Sequence, residues 1–181
     1  MHKHPQDIPV VQYYRLNGVN FTYCWRAGCT SVAKLALDHN AEVLAGPPEV
    51  CTLLLKHPIE RFRSSQMILP LEKRKDPETD RWVVAQPPIS QYLSDTLDDV
   101  EGVRSPHTWE QIDQHQGVKH LQLYRLEGST HLAGVPLPHL NKTMIPKPVV
   151  ADLPRYLELF DFYAKDLEAW ENAKPLTGAQ N

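Results

Sequence analysis

Val19-Asn20-Phe21-Thr22-Tyr23-Cys24-Trp25-Arg26-Ala27-Gly28-Cys29-Thr30-Ser31 is the stretch on which the fold turns. Val19 to Cys24 mixes β-branched and aromatic residues, the composition of a strand. Trp25 to Cys29 then reads as a tight turn around Gly28. Thr30 opens a helix running to His39, with Val32, Leu35 and Ala36 on one face. The same order recurs after the break at Gly46-Pro47-Pro48. Val50 to Leu55 is a continuous apolar run, as expected of a strand buried on both faces. Pro58 stands in the first turn of a second helix, Ile59 to Ile68. Two strand-turn-helix units predict an α/β layer fold with a largely parallel sheet. In such sheets ligands bind beyond the carboxyl ends of the strands, where both turns would lie.

Outward from these units the pattern weakens. Residues 71 to 88 are charged and contain prolines, so they read as a surface excursion with at most a short strand at Trp82 to Ala85. Ser90 to Val100 reads as a helix and Leu121 to Leu126 as a strand. Residues 128 to 151 carry Pro136, Pro138, Pro146 and Pro148 and little regular pattern. Leu153, Tyr156, Leu157, Phe160, Tyr163, Leu167 and Trp170 recur at three- and four-residue steps, which predicts one long helix. Asp152 is placed to cap it and Pro154 to occupy its first turn. Residues 1 to 12 read as a loose arm and 174 to 181 as a frayed tail.

The chain has 181 residues, suited to a single domain, with 41% hydrophobic and 23% charged residues. These are globular proportions. A net charge of −3 argues against a general nucleic-acid or membrane-surface binder. No run approaches the roughly 20 apolar residues of a membrane span, and no signal peptide is visible, so a cytoplasmic location is expected. Cys24, Cys29 and Cys51 are too few for a disulfide framework and suit a reducing compartment. Cys24 and Cys29 lack the second ligand pair of a zinc site, and no metal is expected.

Both turns suit an anion. In the first, Gly28 admits close backbone approach, and the helix after it presents N–H groups and a positive dipole end. Arg26 adds a cation; Thr30 and Ser31 add hydroxyls. A plain turn before a capped helix accounts for the same residues. The stretch is not a Walker A loop, because Tyr23 stands where the first Gly belongs and Cys29 where the Lys belongs. The second turn is Lys56-His57-Pro58-Ile59-Glu60-Arg61-Phe62-Arg63-Ser64. Arg61 and Ser64 lie three apart on one helix face, so with Lys56 they could hold a second phosphate. A solvated basic face is the plainer account.

Taken together, Trp25 to Ser31 and Lys56 to Ser64 resemble the two nucleotide loops of sulfotransferases that use 3′-phosphoadenosine 5′-phosphosulfate (PAPS), especially the carbohydrate branch. That family carries Pro-Lys-x-Gly-Cys-Thr-Ser after its first strand and Arg-x-Pro-x-x-Arg-x-x-Ser after the next. Weaker echoes follow at Ser105 to Gln111, Tyr124 to Glu127, Leu137 to Thr143 and Tyr163 to Leu167. The resemblance covers residues 19 to 170. It implies a P-loop-like three-layer fold, a central sheet flanked by helices, and a carbohydrate or small-molecule acceptor. It implies that Arg26, Ala27, Gly28, Cys29, Thr30 and Ser31 hold the 5′-phosphosulfate, and that Lys56, Arg61 and Ser64 hold the 3′-phosphate. Trp25 replaces the family's Pro, Arg26 its Lys and Lys56 its Arg, so charge is kept while geometry changes.

The implied reaction moves a sulfuryl group to an acceptor hydroxyl or amine and releases adenosine 3′,5′-bisphosphate (PAP), without a metal. Arg26 would stabilise the transferring group. His107, in the echo of a family His-Trp segment, is the first candidate base, with Glu110, Asp113 and His115 as alternatives. An ordinary packing histidine is an equal reading of His107. A non-catalytic nucleotide-binding descendant and a P-loop nucleotide kinase are the rival classes.

Overall fold

A computed structural model describes residues 11–66, 72–75, 80–85, 88–98, 110–139 and 149–178. Chain order begins β1 (Tyr14–Leu16), β2 (Val19–Thr22), α1 (Cys29–Asp38), β3 (Glu42–Val43), β4 (Val50–Leu55) and α2 (Pro58–Gln66). It continues β5 (Glu72–Lys75), β6 (Trp82–Ala85), α3 (Ile89–Leu97), a 3-10 turn (Ile112–His115) and β7 (His120–Arg125). Last come β8 (His131–Leu132), β9 (Val135–Pro136), α4 (Glu158–Phe162), α5 (Ala164–Asn172) and β10 (Lys174–Pro175).

Among the described residues, six strands form one mixed sheet in the order β10-β7-β4-β2-β1-β3. The strands β2, β4, β7 and β10 run parallel, while β1 is antiparallel to both β2 and β3. The apolar run makes β4 the centre of this parallel part. It pairs along its whole length with β7, from Val50 opposite His120 to Leu55 opposite Arg125. Its residues alternate between two apolar clusters. Leu54 packs with Phe21, Val32 and Leu35, on the α1 side. Leu53 and Leu55 pack with Cys24, Ala27, Ala169 and Trp170, on the α5 side. Both faces are therefore covered, and each buried leucine contributes roughly 1.5–3 kcal/mol. A third cluster joins Ile59 and Phe62 of α2 to Tyr92, Leu93, Leu159 and Tyr163.

Several expectations need correction. Tyr14–Leu16 pairs with β2 as a hairpin across Asn17-Gly18, whose φ angles of 51° and 78° suit a two-residue turn of the mirror-image type. The Asn-Gly pair is the sequence signal of this hairpin. Val11 is buried and the Gln12 carbonyl accepts a bond from Thr22, so these two residues, read as part of a loose arm, are held in place, while residues 1 to 10 lie outside the described residues. The surface excursion holds a hairpin, β5 with β6. Another hairpin, β8 with β9, lies in the stretch read as patternless. The tail is not frayed at its start: β10 pairs with β7, and Leu176 is buried.

The long C-terminal helix is two short ones. Arg155 has φ 67°, outside the right-handed helical region, and Asp152 caps neither helix. The chain from Val150 to Phe160 instead closes by carbonyl bonds three residues back. This break changes which side chains face inward. Leu157 and Phe160 are exposed, whereas Leu159 is fully buried. Three- and four-residue spacing reports a face only where the backbone is continuous.

Candidate functional site

The first turn leaves the carboxyl end of β2. Cys24 makes bridges to Ala27 and Gly28, and the Ala27 N–H donates to the Cys24 carbonyl at 3.1 Å. Ala27 is wholly buried, so its N–H serves the turn. Gly28 has φ 75° and immediately precedes α1. A Cβ there would stand 3.0 Å from Leu126 Cδ1, a tight contact, and the positive φ itself favours glycine. Cys29, Thr30 and Ser31 form the first turn of α1, and the Val32 N–H donates back to the Gly28 carbonyl at 2.9 Å. Cys29 is a partly exposed free thiol.

Arg26 has φ 65°, a backbone state that costs a non-glycine residue on the order of 1–3 kcal/mol. Its Nη2 donates to the Ser64 carbonyl at 2.5 Å. Its Nε is buried without a hydrogen-bond partner among the described residues. Burial pulls its pKa down from the ordinary arginine value, yet the guanidinium stays charged at neutral pH.

The second turn leaves β4, the parallel neighbour of β2. Lys56 Nζ donates to Ser64 Oγ at 2.9 Å, and Ser64 Oγ donates to the Glu60 carbonyl at 2.8 Å. Ser64 thus meets two of the three expected cations, Lys56 through its hydroxyl and Arg26 through its carbonyl. Arg61 does something else. It is wholly buried, and its Nε donates to the Trp25 carbonyl at 2.9 Å. Its side chain spans from α2 to the first turn instead of standing on a solvated face. Arg63 pairs with Glu60 at 2.5 Å. Beside this turn, His57, Ile59, Glu60 and Arg63 line a cleft of about 290 Å³ with Val149, Val150, Ala151, Tyr156 and Phe160.

Three supporting residues were not singled out from the sequence. Gln111 is wholly buried and accepts from the Lys56 N–H at 3.0 Å while donating to the Lys56 carbonyl at 2.8 Å. Asp166 accepts from the Gln111 N–H at 2.6 Å and from the Ile112 N–H at 3.2 Å. Burial raises the Asp166 pKa, opposed by the Arg61 charge. Glu127 accepts from the His57 N–H at 3.1 Å and from Trp170 Nε1 at 3.0 Å. Gln111, Glu127 and Asp166 fall within the weaker echoes, which is the signal that could have found them.

Of the base candidates, His107 lies outside the described residues, as do Asn141, Lys142 and Thr143. Asp113 pairs with Lys165. His115 is buried, with Nε2 3.4 Å from Cys24 Sγ, and burial pulls its pKa down to about 4. It is therefore neutral and enclosed at physiological pH. Among the described residues, no three His, Cys, Asp or Glu side chains could share a metal ion. No described helix is long and apolar enough to cross a membrane.

The fold and site define an α/β protein with a mostly parallel sheet and two tethered cationic turns at the carboxyl ends of adjacent strands. Comparison with protein-family models, curated proteins and solved structures found no match.

Proposed function

We propose that this chain is a PAPS-dependent sulfotransferase with a P-loop-like three-layer fold. The observation that carries the reading is the convergence of Arg26 and Lys56 on Ser64, at 2.5 and 2.9 Å, from the ends of two adjacent parallel strands. Two cations, a hydroxyl and a helix N-terminus are the groups that two phosphate-like oxyanions at fixed separation require. In this reading the first turn of α1 receives the 5′-phosphosulfate, and Lys56 with Ser64 receives the 3′-phosphate. Arg61 acts from within, holding the Trp25 carbonyl and so the shape of the first turn.

In the transfer, the acceptor oxygen forms a bond to sulfur while the bond from sulfur to the leaving 5′-phosphate oxygen breaks. The acceptor proton passes to a base, with His107 retained as first candidate. Arg26 neutralises charge that moves onto the leaving phosphate. The acceptor is a hydroxyl or amine on a small molecule or carbohydrate. Incubation with PAPS and an acceptor panel, followed by mass spectrometry, tests this directly. The expected result is the gain of one sulfuryl group on an acceptor, unaffected by a chelator. Tight binding of PAP with no transfer to any acceptor would favour a non-catalytic nucleotide-binding protein. The commitment of Arg26 to the Ser64 carbonyl is the observation on that side.

A further inference from the structure

Lys56 is the first residue beyond β4, where the strand's regular pairing ends. Buried backbone polar groups require partners, and here both peptide groups of Lys56 are served by one side chain. The Gln111 amide accepts from the N–H and donates from Nε2 to the carbonyl, as a neighbouring strand residue would. Gln111 is itself held at its backbone by Asp166 of α5, also wholly buried. A continuous path of hydrogen bonds therefore runs from Asp166 to Gln111, to Lys56, to Ser64 and to Arg26.

We propose that Gln111 is a positioning residue that sets the phosphate selectivity of the second turn by fixing the Lys56 peptide. This rests on the donor reading above. A residue gripped at both its N–H and its C=O, on either side of its Cα, cannot turn about the strand axis, so the Lys56 ammonium stays over Ser64. Released from Gln111, the lysine keeps its charge but loses its fixed direction. The second turn then loses its preference for a nucleotide bearing a 3′-phosphate, while the first turn keeps its hold on the 5′-phosphate.

The test compares the full-length parent with Gln111→Glu, using PAP and adenosine 5′-monophosphate as the two ligands. At about pH 8 a glutamate carboxylate can accept from Lys56 N–H but cannot donate to the carbonyl. PAP affinity should fall about tenfold and monophosphate affinity by less than about twofold. Lys56 amide exchange, read by NMR, should speed up in Gln111→Met, whose side chain neither accepts from the N–H nor donates to the carbonyl. Equal losses for both ligands, or no loss, would overturn the proposal. If the parent binds neither nucleotide, the donor reading fails, and Lys56 exchange alone decides the clamp: unchanged protection in Gln111→Met overturns it. Gln111→Met, neutral and of similar length, carries the same comparison if the glutamate variant does not fold.

Discussion

Arg61, fully buried in α2, donates from Nε to the backbone carbonyl of Trp25 at 2.9 Å. The helix after the second turn thus carries the backbone of the first, and the two turns form one unit. Replacing Arg61 with Met should remove this bond to the Trp25 carbonyl and the positive charge acting on buried Asp166. A loss of about 3 kcal/mol or more in unfolding free energy is expected, as for other single-partner deletions of buried charges. Urea denaturation measures it. A variant within about 0.5 kcal/mol of the parent would mean that the bond to Trp25 and the charge beside Asp166 contribute little to stability.

Arg26 combines a left-handed backbone with a side chain placed for charge stabilisation. Arg26→Ala should lower single-turnover rates by roughly 100-fold or more, with a much smaller loss of PAP affinity. Arg26→Lys should retain substantial activity. The backbone gives an independent check, because Arg26→Gly should be more stable than Arg26→Ala by roughly 1 kcal/mol, glycine being at ease at positive φ. Equal stability of these two variants would remove the strain argument.

The pair Lys56 and Ser64 should act on one phosphate only. Lys56→Ala and Ser64→Ala are each expected to weaken PAP binding about tenfold or more while leaving adenosine 5′-monophosphate nearly unchanged. Calorimetry with both nucleotides separates this from a general loss of fold, which would reduce both affinities together.

His115 makes stability depend on pH. Burial lowers its pKa from 6.5 to about 4, so the folded chain resists the proton that the unfolded chain accepts. Its contribution is fully present above about pH 6.5 and is lost as pH falls through that value toward 4. The change is on the order of 3 kcal/mol over that window. Asp166 titrates in the opposite sense, its raised pKa withdrawing stability as pH rises through the carboxylate range. The parent therefore has to be compared with His115→Gln, in which the histidine part alone is absent. Unfolding curves between about pH 7.5 and 4.5 should converge at the acidic end, and parallel curves would contradict the buried neutral state.

The two strand-turn-helix units were legible in the sequence because their signals are local. Val50 to Leu55 declares a strand by being apolar throughout, and Gly28 declares the turn by a backbone state that other residues resist. The cations Arg26 and Lys56 follow from position alone, each lying just past the end of a strand. Tertiary structure decided what these residues meet. Arg26 reaches Ser64 across 38 positions, Arg61 reaches Trp25 across 36, and Gln111 reaches Lys56 across 55. No periodicity encodes such contacts, because each depends on how parallel strands and their helices stack. The same holds for β10, made a strand by the open edge of β7, and for the break at Arg155, where ion pairs to Asp98 and Glu158 accompany a backbone that helical spacing had led us to expect unbroken. Local sequence determined where the chain can turn toward an anion; only long-range packing decided which side chains are aimed there and which are enclosed as support.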